Sequence, residues 1–187
     1  MLHALGPSGF FIDQAMKVLK FGGTSVGTAA TIRRVKAIVD AREGDLLIVV
    51  SALGGITDLI GKTAQTAAIG NNAYRSGFRE IKNRHLSLMA ELFPGDNPAL
   101  HQVQQILDEM EQVLTGLALV GELTLKTLDR VLGMGERISS VIVARYLGVA
   151  WYDSSEIIVT DSHFGKAVVD FQETREKLRS QAAHFKG

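Results

Sequence analysis

The sequence predicts an α/β fold, a parallel sheet covered by helices, on three observations. Short apolar runs alternate with amphipathic helical patterns from Lys17 onward, and at least two of those runs end in glycine-rich turns. A third observation is size: 187 residues make one domain with room for a real core. We place that domain at residues 16–187 and read residues 1–15, MLHALGPSGFFIDQA, as a leader preceding a functional start at Met16. The leader is a poor signal peptide because it lacks a basic start and its apolar stretches are broken by Gly6, Pro7 and Gly9.

Each element follows from its pattern. Lys17–Phe21 reads as a strand running into Gly22 and Gly23. Ile32, Val35, Ile38 and Val39 then recur at helical spacing, with Arg33, Arg34 and Lys36 facing elsewhere, until Gly44 stops the helix. Leu46–Val50 is continuously apolar, as in a strand buried on both faces. Ser51–Gly55 makes a loop, and a helix begins near Thr57, whose hydroxyl is placed to cap it.

Tyr74–Phe93 predicts a long helix with Phe78, Ile81, Leu88 and Leu92 on one stripe and Arg75, Arg79, Lys82 and Arg84 mostly off it. Pro94, Gly95 and Pro98 end it, and Val103, Ile106, Leu107, Met110, Val113, Leu114 and Leu117 mark a second helix that completes an antiparallel hairpin. Glu136–Leu147 predicts a third helix ending at Gly148, followed by strands at Val149–Tyr152 and Ile157–Val159. Asp170 and Glu173 are spaced as a capping box for a last helix running toward His184.

Composition narrows the function. Twenty basic and twenty acidic side chains cancel, so neither nucleic acid nor a membrane surface is favoured and small-molecule chemistry is. There is no cysteine, hence no disulfide or thiolate metal site, and no apolar run approaches a membrane span, so a cytoplasmic setting is expected. His101, His163 and His184 lack metal-ligand spacing, no Ser-His-Asp order is arguable, and His85, on the Ile81/Leu88 stripe, reads as a packed core residue.

The candidate chemistry starts at KVLKFGGTSVG, Lys17–Gly27. Gly22 and Gly23 let the backbone turn and bring its N–H groups to an anion, Thr24 and Ser25 add hydroxyls, and Lys20 adds a full charge. Lys20 precedes the glycines and no Gly-Lys-Ser/Thr follows, which excludes the Walker A loop and the dinucleotide fingerprint. Beyond the end of the next strand, Ser51, Gly54, Gly55 and Thr57 fall beside that loop, where the two hydroxyls suit a substrate carboxylate; a turn residue and a helix cap are the plainer readings. In GMGERISS, Gly133–Ser140, Glu136 serves the helix dipole or an ammonium group. In VTDSHFGKA, Val159–Ala167, Asp161 is either a site carboxylate or the cap of its own loop.

These four segments, in this order, resemble the aspartate kinases of the amino-acid kinase superfamily. The resemblance covers residues 16 to about 170. It implies the three-layer, carbamate kinase-like fold, of which this sequence would form the N-terminal, substrate-binding lobe. It also implies phosphorylation of L-aspartate by ATP with Mg²⁺, giving 4-phospho-L-aspartate, on the way to lysine, threonine and methionine, with a homo-oligomer possible. Lys20 would be catalytic and, with Gly22, Gly23, Thr24 and Ser25, would face the ATP phosphates. Ser51, Thr57, Glu136 and Asp161 would bind the amino acid. Ser162 stands where the family has a second acidic residue, and the family's Gly-Gly-Ser-Asp-type nucleotide motif does not occur in these 187 residues. The chain alone is therefore expected to be inactive; a non-catalytic amino-acid or phosphate-binding module, or a kinase of another acceptor, is the alternative.

Overall fold

The computed structural model describes residues 16–181; the leader at 1–15 and the expected last turn toward His184 lie outside the described residues. Strand β1, Lys17–Phe21, pairs in parallel with β2, Leu46–Val50, from Lys17 opposite Leu46 to Phe21 opposite Val50. Between them run a single-turn helix α1, Gly23–Val26, and α2, Ala29–Asp40. Thr28 and Thr31 cap α2 reciprocally: the Thr28 hydroxyl accepts from the Thr31 N–H at 3.2 Å and the Thr31 hydroxyl from the Thr28 N–H at 3.1 Å.

The two-stranded sheet carries helices on one face. Leu19, Phe21, Ile48 and Val50 are half-buried, and Phe21 and Val50 pack against the core. The register places Val18, Lys20, Leu47 and Val49 together on the other face, where Leu47 is 44% and Val49 42% exposed. The expectation that β2 is buried on both faces is thus corrected: among the described residues nothing covers that side. Ile38, counted in the α2 stripe from its spacing, is also exposed, while Ile32 and Val35 are buried.

Most of the core is helical. Helix α3, Ile56–Ala68, packs against α4, Tyr74–Leu92, α5, Leu100–Val120, and α6, Leu125–Leu147. Its Ile56, Ile60, Ala64 and Ala67 have no exposed surface, and Ile81, Met110, Leu114, Ile138 and Ile142 are equally buried in the same cluster. Each such branched side chain contributes about 1.5–3 kcal/mol by leaving water. The α4/α5 hairpin forms as the sequence predicts, with the proline-glycine break between its arms.

Two later expectations are corrected. Helix α6 begins at Leu125, capped by Thr124, whose hydroxyl accepts from the Thr127 N–H at 3.1 Å, so Glu136 lies mid-helix and not in a first turn. Gly133 and Gly135, expected at the helix start, lie well inside α6. Gly135 is a contact point: a Cβ there would stand 3.1 Å from Ile60 Cδ1 and 3.2 Å from Ala52 Cβ, so its absence lets α6 close on α3. Nor do Val149–Tyr152 and Ile157–Val159 form strands. The chain folds back along α6, held by Trp151 Nε1 donating to Ser140 Oγ at 2.9 Å and by Arg137 Nε donating to Asp153 at 2.8 Å. Asp153 then caps a 3-10 turn at Ser154–Glu156, and only an isolated antiparallel bridge, Thr160 to Val169, follows. Helix α7, Phe171–Gln181, starts as expected on Asp170, whose carboxylate accepts from the Gln172 and Glu173 N–H groups at 2.9 Å.

His85 is the packed core residue that its stripe predicts. Its Nδ1 donates to the Ile81 carbonyl at 2.7 Å, Nε2 is buried with no hydrogen-bond partner among the described residues, and burial pushes its pKa down to about 4. The unfolded chain therefore takes up this proton first as pH falls. The stability that depends on neutral His85 is intact above about pH 6.5, is lost as pH drops toward 4, and amounts to about 3 kcal/mol in all. Urea unfolding at about pH 7 and pH 5 is expected to differ by about 2 kcal/mol from this group, a difference that His85→Leu removes.

Candidate active site

The site is assembled where β1 and β2 end. Phe21 and Ser51 leave the sheet together, the Ser51 N–H donating to the Phe21 carbonyl at 3.1 Å. The two loops then dock backbone on backbone: the Gly54 N–H donates to the Gly23 carbonyl at 3.1 Å, and a Cβ on Gly23 would stand 2.8 Å from the Ala52 carbonyl oxygen. No side chain fits there without displacing main chain. Gly22 precedes α1 in extended conformation, so the first-turn amides of Gly23 and Thr24 have no acceptor within the helix. Thr24 is exposed and Ser25 half-buried, both inside α1.

Lys20 is exposed on the open face of the sheet, one residue before the turn, and among the described residues it joins no ion pair. Ser51 is half-buried at the end of β2. Thr57 is exposed in the first turn of α3, and it is not the cap: Gly55, at φ +76°, occupies that position, with no side-chain cap bond. Glu136 reaches this cluster from α6, its Oε1 accepting from the Ala52 N–H at 3.4 Å. The Gly23 and Ser51–Gly54 loops and Glu136 of α6 thus meet at one edge, with Lys20 just before the first turn on the open face of the sheet.

Asp161 stands apart. Its carboxylate accepts from the His163 and Val168 N–H groups at 3.0 and 3.2 Å and pairs with the His163 ring at 3.1 Å. The His163 amide, then its ring, holds the Asp161 carboxyl below the usual range. Its loop is tied to α6 near that helix's start, where the Gly165 N–H bonds Asp129 at 2.6 Å. Among the described residues no hydrogen bond joins Asp161 to Lys20, Ser51, Thr57 or Glu136.

Two arginines matter beyond what their positions suggest. Arg84 Nη2 donates to the Gly54 carbonyl at 2.7 Å, bracing from α4 the same residue that holds Gly23. Arg137 is no free surface charge. It bonds Asp153 at 2.8 Å and Glu109 at 3.3 Å, and Arg130 closes on Glu109 at 2.7 Å, which keeps the Glu109 carboxyl below its usual range. No spacing rule singles out Arg84; it lies about half a turn around α4 from Arg75, a flank known only once the loops are placed.

The sequence matches the Amino acid kinase family over residues 15–185. The chain belongs to that family. It is 35% identical over 163 residues to an aspartokinase of Chlamydia trachomatis, a match spanning 84% of this chain and 35% of that protein. With the chloroplastic aspartokinase 1 of Arabidopsis thaliana it shares 35% identity over 155 residues, 77% of this chain and 26% of the plant protein. The chain thus spans about a third or less of the curated relatives it matches. Its fold superposes on E. coli aspartokinase III solved with aspartate and ADP, at a TM-score of 0.76 and 25% identity over 88% of this chain and 37% of that one. The same enzyme solved with lysine and aspartate gives 0.77 at 24% identity, covering 89% and 38%. In this family member the helix-rich α/β lobe with a parallel strand pair is the shared part, and no helix among the described residues is long and apolar enough to cross a membrane.

The loop docking yields a direct test. Gly23→Ala forces the two loops apart and is expected to cost about 1–3 kcal/mol in urea unfolding. Gly22→Ala, at φ −78° with nothing within 4 Å of the added methyl, is expected to leave the midpoint nearly unchanged.

Proposed function

We propose that this chain is the acceptor-binding lobe of an aspartate kinase, which transfers the γ-phosphoryl group of ATP to the β-carboxylate of L-aspartate. The observation that carries this reading is Glu136: a half-buried carboxylate at the meeting of two glycine loops, bonded to one backbone amide and paired with no cation among the described residues. Its neighbour Arg137 is fully engaged by Asp153 and Glu109. A half-buried carboxylate that no cation offsets suits the α-ammonium group of an amino acid. The hydroxyls of Ser51 and Thr57 suit its α-carboxylate, and the remaining carboxylate would be directed toward Lys20. The names of the curated relatives, and the aspartate and ADP bound by the E. coli neighbour, support the same assignment.

The chemistry asks little of the protein beyond placement. A side-chain carboxyl of reference pKa near 3.9 is ionised at neutral pH, so an aspartate oxygen forms the new bond to the γ-phosphorus without a general base. The bond from that phosphorus to the bridging oxygen breaks, and ADP leaves with its electron pair. Lys20 and the amides after Gly22 offset the negative charge on the transferring group, while Glu136 and the hydroxyls hold the acceptor in line. Kinase chemistry implies Mg²⁺, but among the described residues no group of three or more His, Asp or Glu side chains is placed to hold a metal ion. No step here runs through it. The product, 4-phospho-L-aspartate, would feed lysine, threonine and methionine synthesis, and the absence of cysteine fits a cytoplasmic enzyme. Asp161 would join the acceptor site only after its loop rearranges.

Calorimetry on this chain tests the acceptor site. L-Aspartate is expected to bind, Glu136→Gln to weaken it about tenfold or more, and succinate, which lacks the ammonium, to bind wild type and variant alike. Equal losses for both ligands would contradict the pairing. In a longer enzyme containing this segment, Lys20→Ala is expected to lower kcat about a hundredfold or more in a coupled ADP assay. The 187-residue chain by itself is expected to show no aspartate-dependent ADP release.

A further inference from the structure

Beyond that reading, and independent of it, we infer that the groove between α4 and α5 is a second binding site, for a small polyanion bearing phosphate or carboxylate groups. The groove has a volume of about 270 Å³, enough for a small metabolite. Its floor is the buried Tyr74, Phe78 and Leu114. One wall is the cationic flank of α4, where Arg75, Arg79 and Lys82 stand on successive turns, about 10 Å from first to last. The opposite wall is α5, which offers only Glu111 and the Thr115 hydroxyl.

Three cations line this groove against a single acid. Like charges three and four residues apart on a helix repel. Lys36 is matched by Asp40 and Arg130 by Glu109, yet among the described residues Arg75, Arg79 and Lys82 enter no ion pair, and Glu111 across the groove joins none of them. Arg75 is held over the Tyr74 ring at 5.2 Å, which leaves the edge of its guanidinium free for a planar anion. Three unneutralised cations lining a concavity with an apolar floor are complementary to a ligand with two or more anionic groups. Glu111 would accept a hydroxyl or amino donor from a ligand that carries one, and it weakens the hold on a bare anion. The groove is distinct from the loop site: Arg84, on the opposite flank of α4, faces Gly54.

Isothermal titration of this chain with inorganic pyrophosphate and, separately, citrate tests the proposal. At least one is expected to bind, the stronger of the two naming the phosphate or carboxylate source. In a Lys20→Ala background, which disables the phosphate-facing lysine of the loop site, binding is expected to persist, the double variant Arg75→Gln/Arg79→Gln to weaken it about tenfold or more, and Glu111→Gln to strengthen it. The Glu111 arm needs no loss of binding, so it remains decisive if the double variant folds poorly. Loss of binding in Lys20→Ala with no response to Glu111→Gln, or no binding of either probe at millimolar concentration, would overturn the assignment.

Discussion

The contact between the Gly23 and Gly54 backbones is the constraint on which the rest of this structure depends. The two loops approach closely enough that a methyl on Gly23 would stand 2.8 Å from the Ala52 carbonyl oxygen. That approach continues the parallel register of β1 and β2 past their ends, through the bond from Ser51 to Phe21. It also sets where α3 begins, at Gly55 with positive φ, and α3 is the helix against which α4, α5 and α6 pack. Glu136 reaches the Ala52 amide because Gly135, one residue earlier, lets α6 lie against Ala52 and Ile60. A backbone approach at Gly23 that admits no side chain, and a tight side-chain contact at Gly135, thus connect the sheet, the helical core and the candidate site.

Much of this was legible in the residues. An apolar run ending in Lys20-Phe21-Gly22-Gly23 marks strand and turn together, and the α4/α5 stripes are strongly periodic. Legibility failed where one local pattern has two tertiary uses. Gly133 and Gly135 read as a helix start, and only contact with Ala52, Ile56 and Ile60 shows that Gly135 belongs well inside one. Val149–Tyr152 has strand propensity, but Trp151 and Asp153 find partners on α6, so the segment runs along a helix and not beside a strand. Among the candidate site residues, Ser51 and Glu136 were singled out by separate motifs, and the fold brings both to the Ala52 loop, with Lys20 one residue before the facing turn. Arg84 was not singled out, since what it holds is a carbonyl, and a carbonyl leaves no trace in sequence.

The electrostatics of the molecule separate structural from available charge. Arg137, Glu109, Arg130 and Asp153 satisfy one another and hold the returning chain against α6. Asp161 is likewise occupied by its own loop. Lys20 and Glu136 at the loop edge, and Arg75, Arg79 and Lys82 of the α4/α5 groove, join no ion pair among the described residues. Charged groups that the protein leaves without an ion-pair partner are where a charged small molecule gains most.

The central claim is that the two glycine loops and Glu136 form one acceptor site. Two-dimensional NMR of the isotopically labelled chain during titration with L-aspartate tests it most directly, because backbone amides report position without requiring catalysis. The account requires the Gly23, Ser51, Ala52 and Gly54 amides to shift together along a single saturating curve, with Asp161 and the α4/α5 groove responding little. Shifts confined to the groove or the Asp161 loop, or separate curves for the Gly23 and Ala52 amides, would contradict it.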